Sequence, residues 1–453
     1  MRKVLILALA PVALGAAGCA AEKAPLPKAP VAANYAVTEA LTPLTWREFF
    51  ADARLQRLIA LALNENRDLR IAVLNAQAAR GALLVARGAQ LPTLEAQGGF
   101  TGAQTAGGGF GGFRYDQFSG QIALTSFEID LFGRLRAQSR AAFDRYLASE
   151  AGRRASELTV VGAVAEAYVA ERLAQEQWQL TSSTLADWRV SLDLPRRLHD
   201  AGQASGSDLA QAEGLVRQAE ADLAQRQRER ETTAHALSLA VGAPLPVDLP
   251  APIGLMLASM PDHLGAGLPS DLLTRRPDIM QAEYNLRAAQ ADVNAARAAF
   301  FPRLSLTGAL GAVSPGLSGL FSGANKAWNY APAASLPLFP YAALRGNLRQ
   351  AKAQQGIAVA TYEKAIQTAF AEVADGISAQ QTYGPQIHAQ GAAADAADRR
   401  VNLSKLRYQA GVDSRLELLD AQRSAYSARQ TLLSTRASAL LGMIGLYRAL
   451  GSI

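Results

Sequence analysis

The chain has 453 residues, of which 49% are apolar and only 19% are charged, and its formal net charge is +6. This composition excludes an intrinsically disordered chain and predicts well-buried cores. A single cysteine excludes a disulfide framework, and the four histidines lack the spacing of a zinc site, so we expect no bound metal. Basic residues exceed acidic ones, but the chain has no run of lysine or arginine, so nucleic acid is not an expected partner.

The first 50 residues predict export and lipid attachment. Residues 1–18 combine a basic start, a short apolar stretch and a small-residue end, which is the pattern of a secretory signal peptide. The small residues before Cys19 resemble a bacterial lipobox, although Ala16 stands where leucine is usual. The resemblance implies cleavage before Cys19 and covalent lipid there, the only bound group we expect, with residues 19–50 as a lipid-anchored tether. A free cysteine in an ordinary secreted protein is the alternative.

The chain contains an internal repeat. Pro92 recurs 210 residues later as Pro302, and the leucines and glycines around them recur at the same separation. Chance alignment of alanine-rich helices would not preserve proline and glycine positions. The repeat therefore predicts a two-fold duplication, with one unit over 51–250 and the other over 251–453.

Each unit is predicted to contain a β-hairpin followed by a long helix. The spacing of the apolar residues changes from a helical period to strict alternation at the hairpins. Asp68 is placed to cap the first helix. In chain order the predicted elements are a helix over 68–90, a hairpin over 93–130, helices over 133–199 and 207–241, a hairpin over 303–339, and helices over 341–408 and 414–450. The two longest helices, of about 66 residues each, would each span roughly 100 Å, far more than a globular core requires.

The predicted strands require more than one chain. Strands of about ten residues with one apolar and one polar face are typical of an outer-membrane barrel. Lipid tolerates no unpaired sheet edge, and four strands are too few to close a barrel, so two or three chains must contribute. The polar face suits a water-filled lumen and favours three; it comprises Glu95, Gln97, Thr101, Gln117, Gln121, Ser305 and Thr307. An ordinary two-sided sheet in a soluble protein is the alternative, and it leaves the long helices unexplained.

Several motifs together carry a family resemblance. The most specific is Arg275-Arg276-Pro277-Asp278-Ile279. The others lie at 46–50, 66–70, 127–134, 267–273, 282–283, 299–302, 407–411, 419–423 and 446–451. With these motifs the chain resembles the TolC-like outer-membrane efflux proteins, specifically the NodT-type outer-membrane factor lipoproteins of resistance-nodulation-division efflux systems.

The resemblance implies a fold that is mainly α with a membrane β-barrel. Three copies would form a twelve-stranded barrel in the outer membrane and a twelve-helix tunnel through the periplasm. The implied protein is a passive conduit and not an enzyme, and it exports drugs and toxic small molecules. Its implied partners are a second and third copy, a periplasmic adaptor (membrane fusion protein), an inner-membrane resistance-nodulation-division pump and outer-membrane lipid. A type I secretion or metal-efflux duct and a non-conducting periplasmic coiled-coil scaffold remain alternatives.

The resemblance also places a gate where the second long helix turns into the last one. Glu417 and Asp420 are three residues apart, so they share one helical face and would form stacked carboxylate rings in a trimer. Leu416 would form a hydrophobic constriction beside them. A solvated helix face is the alternative for the two acids.

Further gate residues follow from motif position. The resemblance implies that Asp208 ties the closed state to Tyr408, with Arg407 and Arg423 as additional partners. Asp413 departs from the family pattern, since some relatives have a basic gate residue there. The adaptor is expected at two helix-turn-helix tips, whose residues are Gly202, Ser205, Gly411 and Ser414. The alternative role for Asp208 is simply to cap a helix.

Overall fold

The computed structural model describes residues 44–104, 114–203, 205–255, 275–339 and 341–451. The predicted signal peptide, Cys19 and most of the predicted tether lie outside these residues. In chain order the helices are α1 (Trp46–Phe49), α2 (Ala53–Glu65), α3 (Arg67–Gly88), α4 (Arg134–Asp200), α5 (Gly206–Val241), α6 (Pro277–Ala298), α7 (Tyr341–Gln409) and α8 (Arg415–Ala449). The strands are β1 (Leu94–Gln104), β2 (Arg114–Ile129), β3 (Arg303–Ser314) and β4 (Lys326–Ser335).

Contacts divide the chain into two units, and each unit takes stretches from both halves of the sequence repeat. The sheet unit contains Asn75–Glu150 and Gln281–Glu363, and the helical unit contains the described residues up to Leu74, Ala151–Met280 and Lys364–Ile453. The predicted boundary between residues 250 and 251 separates sequence repeats and stays a prediction. Each predicted repeat contributes one hairpin to the sheet unit, because the second strand of the first hairpin pairs with the first strand of the second hairpin.

The sheet unit contains one antiparallel sheet in the order β1-β2-β3-β4. Its register places Gln97 opposite Gln121, and the two side-chain amides hydrogen-bond at 3.3 Å. On the other face Phe100 lies opposite Phe118, with ring centroids 4.8 Å apart. The polar set predicted from the sequence therefore shares one face, and the apolar residues share the other.

The apolar face of the sheet is largely uncovered by the residues that the structure describes. Phe100, Ile122 and Trp328 are exposed by 59%, 59% and 70%. A β-bulge lies between Leu124 and Phe127, where Ser126 adopts φ 51°. The apolar residues of β2 lie at even-numbered positions up to Leu124 and at odd-numbered positions from Phe127. The extra residue of the bulge compensates for this shift, so these apolar side chains stay on one face of the sheet.

In the helical unit, a buried aromatic cluster holds the described N-terminal residues. The rings of Phe49 and Tyr447 stack at 4.4 Å, and Phe50 packs edge-on against Phe49 at 4.7 Å. Tyr168 donates its hydroxyl to Asp52 at 2.7 Å, and Asp52 also accepts from the backbone at the start of α2. The last residues of the segment predicted as a tether are thus part of a packed core.

The cap of α3 differs from the sequence prediction. The side chain of Asn66 accepts from the backbone N–H groups of Asp68 and Leu69 at 2.9 and 3.1 Å. Asp68 lies in the first turn instead, because the helix begins one residue earlier than expected. Among the described helices, α3 is long and apolar enough to cross a membrane. One such helix is only weak evidence for a membrane-spanning segment.

Two glycines of α7 offer a matched test of packing in the helical unit. A Cβ at Gly376 would lie 2.8 Å from Leu446 Cβ and 3.2 Å from its Cα, whereas a Cβ at Gly384 would meet nothing within 4 Å. Gly376→Ala is expected to lower the free energy of unfolding by about 1–3 kcal/mol through overpacking. Gly384→Ala is expected to raise it by up to about 1 kcal/mol through helix propensity. Urea unfolding of both variants checks this; equal midpoints would contradict the close α7–α8 packing.

Candidate gate at the helix tips

Two turns of the helical unit, α4 to α5 and α7 to α8, contain the predicted tip residues. Gly202 and Gly411 adopt φ 71° and 74°, a left-handed conformation that ends each preceding helix. Ser205 accepts from the backbone N–H of Asp208 at 3.2 Å and donates its hydroxyl to the Asp208 carboxylate at 2.9 Å. Ser414 occupies the equivalent position before α8 but makes no such side-chain bond.

The two predicted gate acids share a partner that the sequence did not suggest. Arg400 on α7 donates from Nη2 to Glu417 at 2.7 Å and to Asp420 at 2.8 Å, and from Nε to Glu417 at 3.3 Å. Both acids therefore lie on one face of α8, as predicted, and that face is turned toward α7. The signal that could have found Arg400 is its distance from the turn, since Arg400 precedes Gly411 by 11 residues and Asp420 follows Gly411 by nine.

Leu416 is exposed within the chain, whereas its neighbours Leu418 and Leu419 are buried. Val412, in the turn, and Leu406, at the end of α7, are exposed as well. The tip thus presents apolar side chains that have no cover within the described chain. This placement is compatible with the hydrophobic constriction predicted for Leu416.

Tyr408 is contacted by a buried arginine. The guanidinium of Arg415 lies over the Tyr408 ring, 5.3 Å from its centroid, and Nη2 donates to the Ser191 carbonyl at 3.1 Å. Burial lowers the pKa of Arg415, and the Tyr408 side chain and the Asp208 charge oppose that effect. Arg415 is only 6% exposed, so it links α4, the end of α7 and the start of α8 from inside the tip.

Within the described residues, Asp208 and Tyr408 bind different partners and share no hydrogen bond, and their predicted link in the closed state stays a prediction. The Asp208 carboxylate is engaged by Ser205, and its charge, like the Tyr408 side chain, acts to raise the pKa of Arg415. A buried guanidinium needs compensation, and the Asp208 charge and the Tyr408 side chain both favour the charged form of Arg415. Asp208 also serves as part of a helix cap, which was the alternative for this residue.

The other two predicted lock residues occupy different places. Arg407 donates to Asp413 at 2.8 Å, which lowers the pKa of that carboxyl group. Arg407 therefore closes the turn locally instead of reaching Asp208. Arg423 is exposed on α8 and makes no ion pair within the described ranges. Asp413, which departs from the family pattern, is thus explained by a partner in its own turn.

Packing beneath the tips keeps α4, α5 and α8 in a fixed arrangement. Trp188, Leu192 and Val216 form a small buried cluster between α4 and α5. Tyr426 of α8 packs edge-on against Trp188 at 5.7 Å and its hydroxyl lies 2.8 Å from that of Thr181. Among the described residues, no group of three or more His, Cys, Asp or Glu side chains could hold a metal ion. The tip therefore offers a charged and apolar surface on a rigid support.

Comparison with known sequences decides the family. The sequence model described as outer membrane efflux protein matches residues 58–243 and 268–452. The chain belongs to the outer membrane efflux protein family. It is 42% identical over 407 residues to the solvent efflux pump outer membrane protein SrpC of Pseudomonas putida, covering 89% of this chain and 86% of that one. It is 39% identical over 442 residues to the antibiotic efflux pump outer membrane protein ArpC of the same species, covering 94% and 90%.

Solved structures agree with this assignment. The open-state structure of the MtrE outer membrane channel of Neisseria gonorrhoeae superposes with a TM-score of 0.86 at 37% identity, over 95% of this chain and 97% of that one. The predicted efflux family, outer-membrane location and channel function are therefore confirmed. As an outer membrane efflux protein, the chain is a channel component of an efflux system with a long periplasmic part.

Proposed function

We propose that three copies of this outer membrane efflux protein form one conduit, with a twelve-stranded barrel continued by a twelve-helix tunnel. The observation that carries the proposal is the continuous four-stranded sheet, which has an exposed apolar face and free edges at β1 and β4. In lipid both edges must be paired, so β1 of one copy would pair with β4 of the next. Twelve strands enclose a lumen into which Gln97 and Gln121 would project. The two family matches support the predicted duplication.

The tips form the periplasmic gate of this conduit in our proposal. Glu417 and Asp420 would make carboxylate rings at the narrow point, with Leu416 as the apolar constriction. The adaptor would dock at Gly202, Ser205, Gly411 and Ser414, where left-handed turns present exposed backbone. Tyr408 and Asp208 would stabilise the closed tip through Arg415, with Arg407 supporting the turn.

The cargo would be small, mainly apolar molecules, because relatives are named for solvent and antibiotic efflux. Members of the family work with an adaptor and an inner-membrane pump, and we propose a membrane fusion protein and a resistance-nodulation-division pump for this chain. Covalent lipid on Cys19 would anchor each copy, since acyl chains contribute ~0.8 kcal/mol per buried CH₂ group. The protein would supply a passage and a gate, while the pump supplies the energy.

A planar-bilayer recording of the detergent-purified full chain tests the proposed function. We expect a trimeric mass, ion conductance and a preference for cations, and we expect Glu417→Gln with Asp420→Asn to reduce the cation-to-anion permeability ratio by at least about twofold, because charged rings set ion preference. Asp398→Asn is the matched control, since that acid pairs with Arg429 on the same two helices. A monomer in detergent, or a trimer that never conducts, would contradict the conduit.

A further inference from the structure

Arg400 holds both acids of the proposed gate at once. Its Nη2 lies 2.7 Å from Glu417 and 2.8 Å from Asp420, so one guanidinium bridges the two carboxylates. Among the described residues it is the only cation that the structure pairs with either acid. The nearby Arg407 is engaged by Asp413.

The ion pair contributes little to folding. The side chains of Arg400, Glu417 and Asp420 are 42%, 47% and 55% exposed. Solvent screens charges at such positions, so exposed pairs of this kind add little to the stability of the fold. What the guanidinium does change is the local charge, because it cancels one of the two negative charges on each copy. In a narrow, low-dielectric passage that charge governs which ions enter.

We propose that Arg400 is a selectivity-determining residue of the channel, which moderates the cation preference of the Glu417 and Asp420 rings by serving as their built-in counter-ion. The proposal rests on the proposed function, in which these acids line the narrow point. With Arg400 in place, the Glu417 and Asp420 carboxylates of each copy retain half of their combined formal negative charge. Without it the narrow point carries the full charge of both carboxylates.

Reversal potentials of the full chain in a KCl gradient test this proposal. Arg400→Gln is expected to raise the cation-to-anion permeability ratio by at least about twofold relative to the unaltered protein. The ratio does not depend on how many channels are open, so a change in opening alone would leave it unmoved. Arg429→Gln is the matched control, since Arg429 bridges the same helices by pairing with Asp398 at 2.8 Å.

A double variant distinguishes an effect of the lost charge from an effect of altered structure. Arg400→Gln combined with Glu417→Gln removes one charge of each sign, so the ratio is expected to return to that of the unaltered protein. The proposal is overturned if Arg400→Gln leaves or lowers the ratio, if Arg429→Gln raises it equally, or if the paired variant keeps the elevated ratio. If the proposed gate itself is wrong, the result is a different one: the double variant Glu417→Gln with Asp420→Asn leaves the cation-to-anion permeability ratio unchanged.

Discussion

Gly311→Ala is expected to destabilise the proposed multi-chain barrel more than any other single methyl addition in the sheet. A Cβ at Gly311 would lie 2.2 Å from the Gly120 carbonyl oxygen and 2.5 Å from Gln121 Cα. Both are backbone atoms of β2, so relief requires β2 and β3 to separate. Overpacking of this kind costs about 1–3 kcal/mol in each chain, which multiplies over the copies of the barrel. Heating the detergent-extracted oligomer and measuring the fraction that stays assembled checks this.

Gly98→Ala is the control for this prediction. Gly98 also lies in a strand, but a Cβ there would meet no atom within 4 Å. Its effect on the oligomer is therefore expected to stay within about 0.5 kcal/mol. If the two alanine variants dissociate at the same temperature, the close approach of β2 and β3 does not exist in the assembled protein.

The strands were predictable because alternation is a local property. Gln97 and Gln121, or Phe100 and Phe118, can be assigned to faces from the sequence alone, and the structure places them opposite one another. The pairing of β2 with β3 was not predictable in this way. It joins segments that are distant in sequence, and its register depends on the bulge at Ser126, which no local pattern marks. This pairing also explains why the compact units cross the repeat boundary.

The gate acids were also predictable, but their partners were not. Glu417 and Asp420 share a face because of helical spacing, which the sequence specifies directly. Arg400 reaches them only because α7 and α8 fold back at Gly411 in one particular register. The expected link between Asp208 and Tyr408 came from motif position, whereas the contact of Arg415 with the Tyr408 ring did not follow from the sequence. Arginines are almost never fully buried, so a sequence-based argument assigns Arg415 to the surface.

The arginines at the tip are of two kinds: Arg400 and Arg407 are exposed, and Arg415 is buried. Arg400 and Arg407 are exposed and satisfy acids on the surface, where ion pairs form and break easily. Arg415 is buried and joins three helices, so its contacts persist as long as the tip keeps its shape. In the proposed gate, ion preference and mechanical closure would therefore depend on different arginines. Each can be changed without removing the other, which makes the two roles separable by mutation.

Arg415→Leu is expected to loosen the closed tip. Leucine can still pack against Tyr408, but it cannot donate to the Ser191 carbonyl, which lies 3.1 Å from Arg415 Nη2. A hydrogen bond from a charged donor contributes about 1.5–3 kcal/mol. Losing about 1.4 kcal/mol from the closed state alone raises the ratio of open to closed channels about tenfold. Open probability in single-channel recordings of the full chain measures this ratio.

Arg423→Leu is the matched control, because Arg423 lies on the same helix, is exposed and makes no ion pair within the part of the chain that the structure describes. Its open probability is expected to equal that of the unaltered protein. The opposite pattern, in which Arg423→Leu opens the channel and Arg415→Leu does not, would favour the lock predicted from the sequence. The cation-to-anion ratio is not expected to change in Arg415→Leu, because Arg415 is buried whereas Glu417 and Asp420 are exposed.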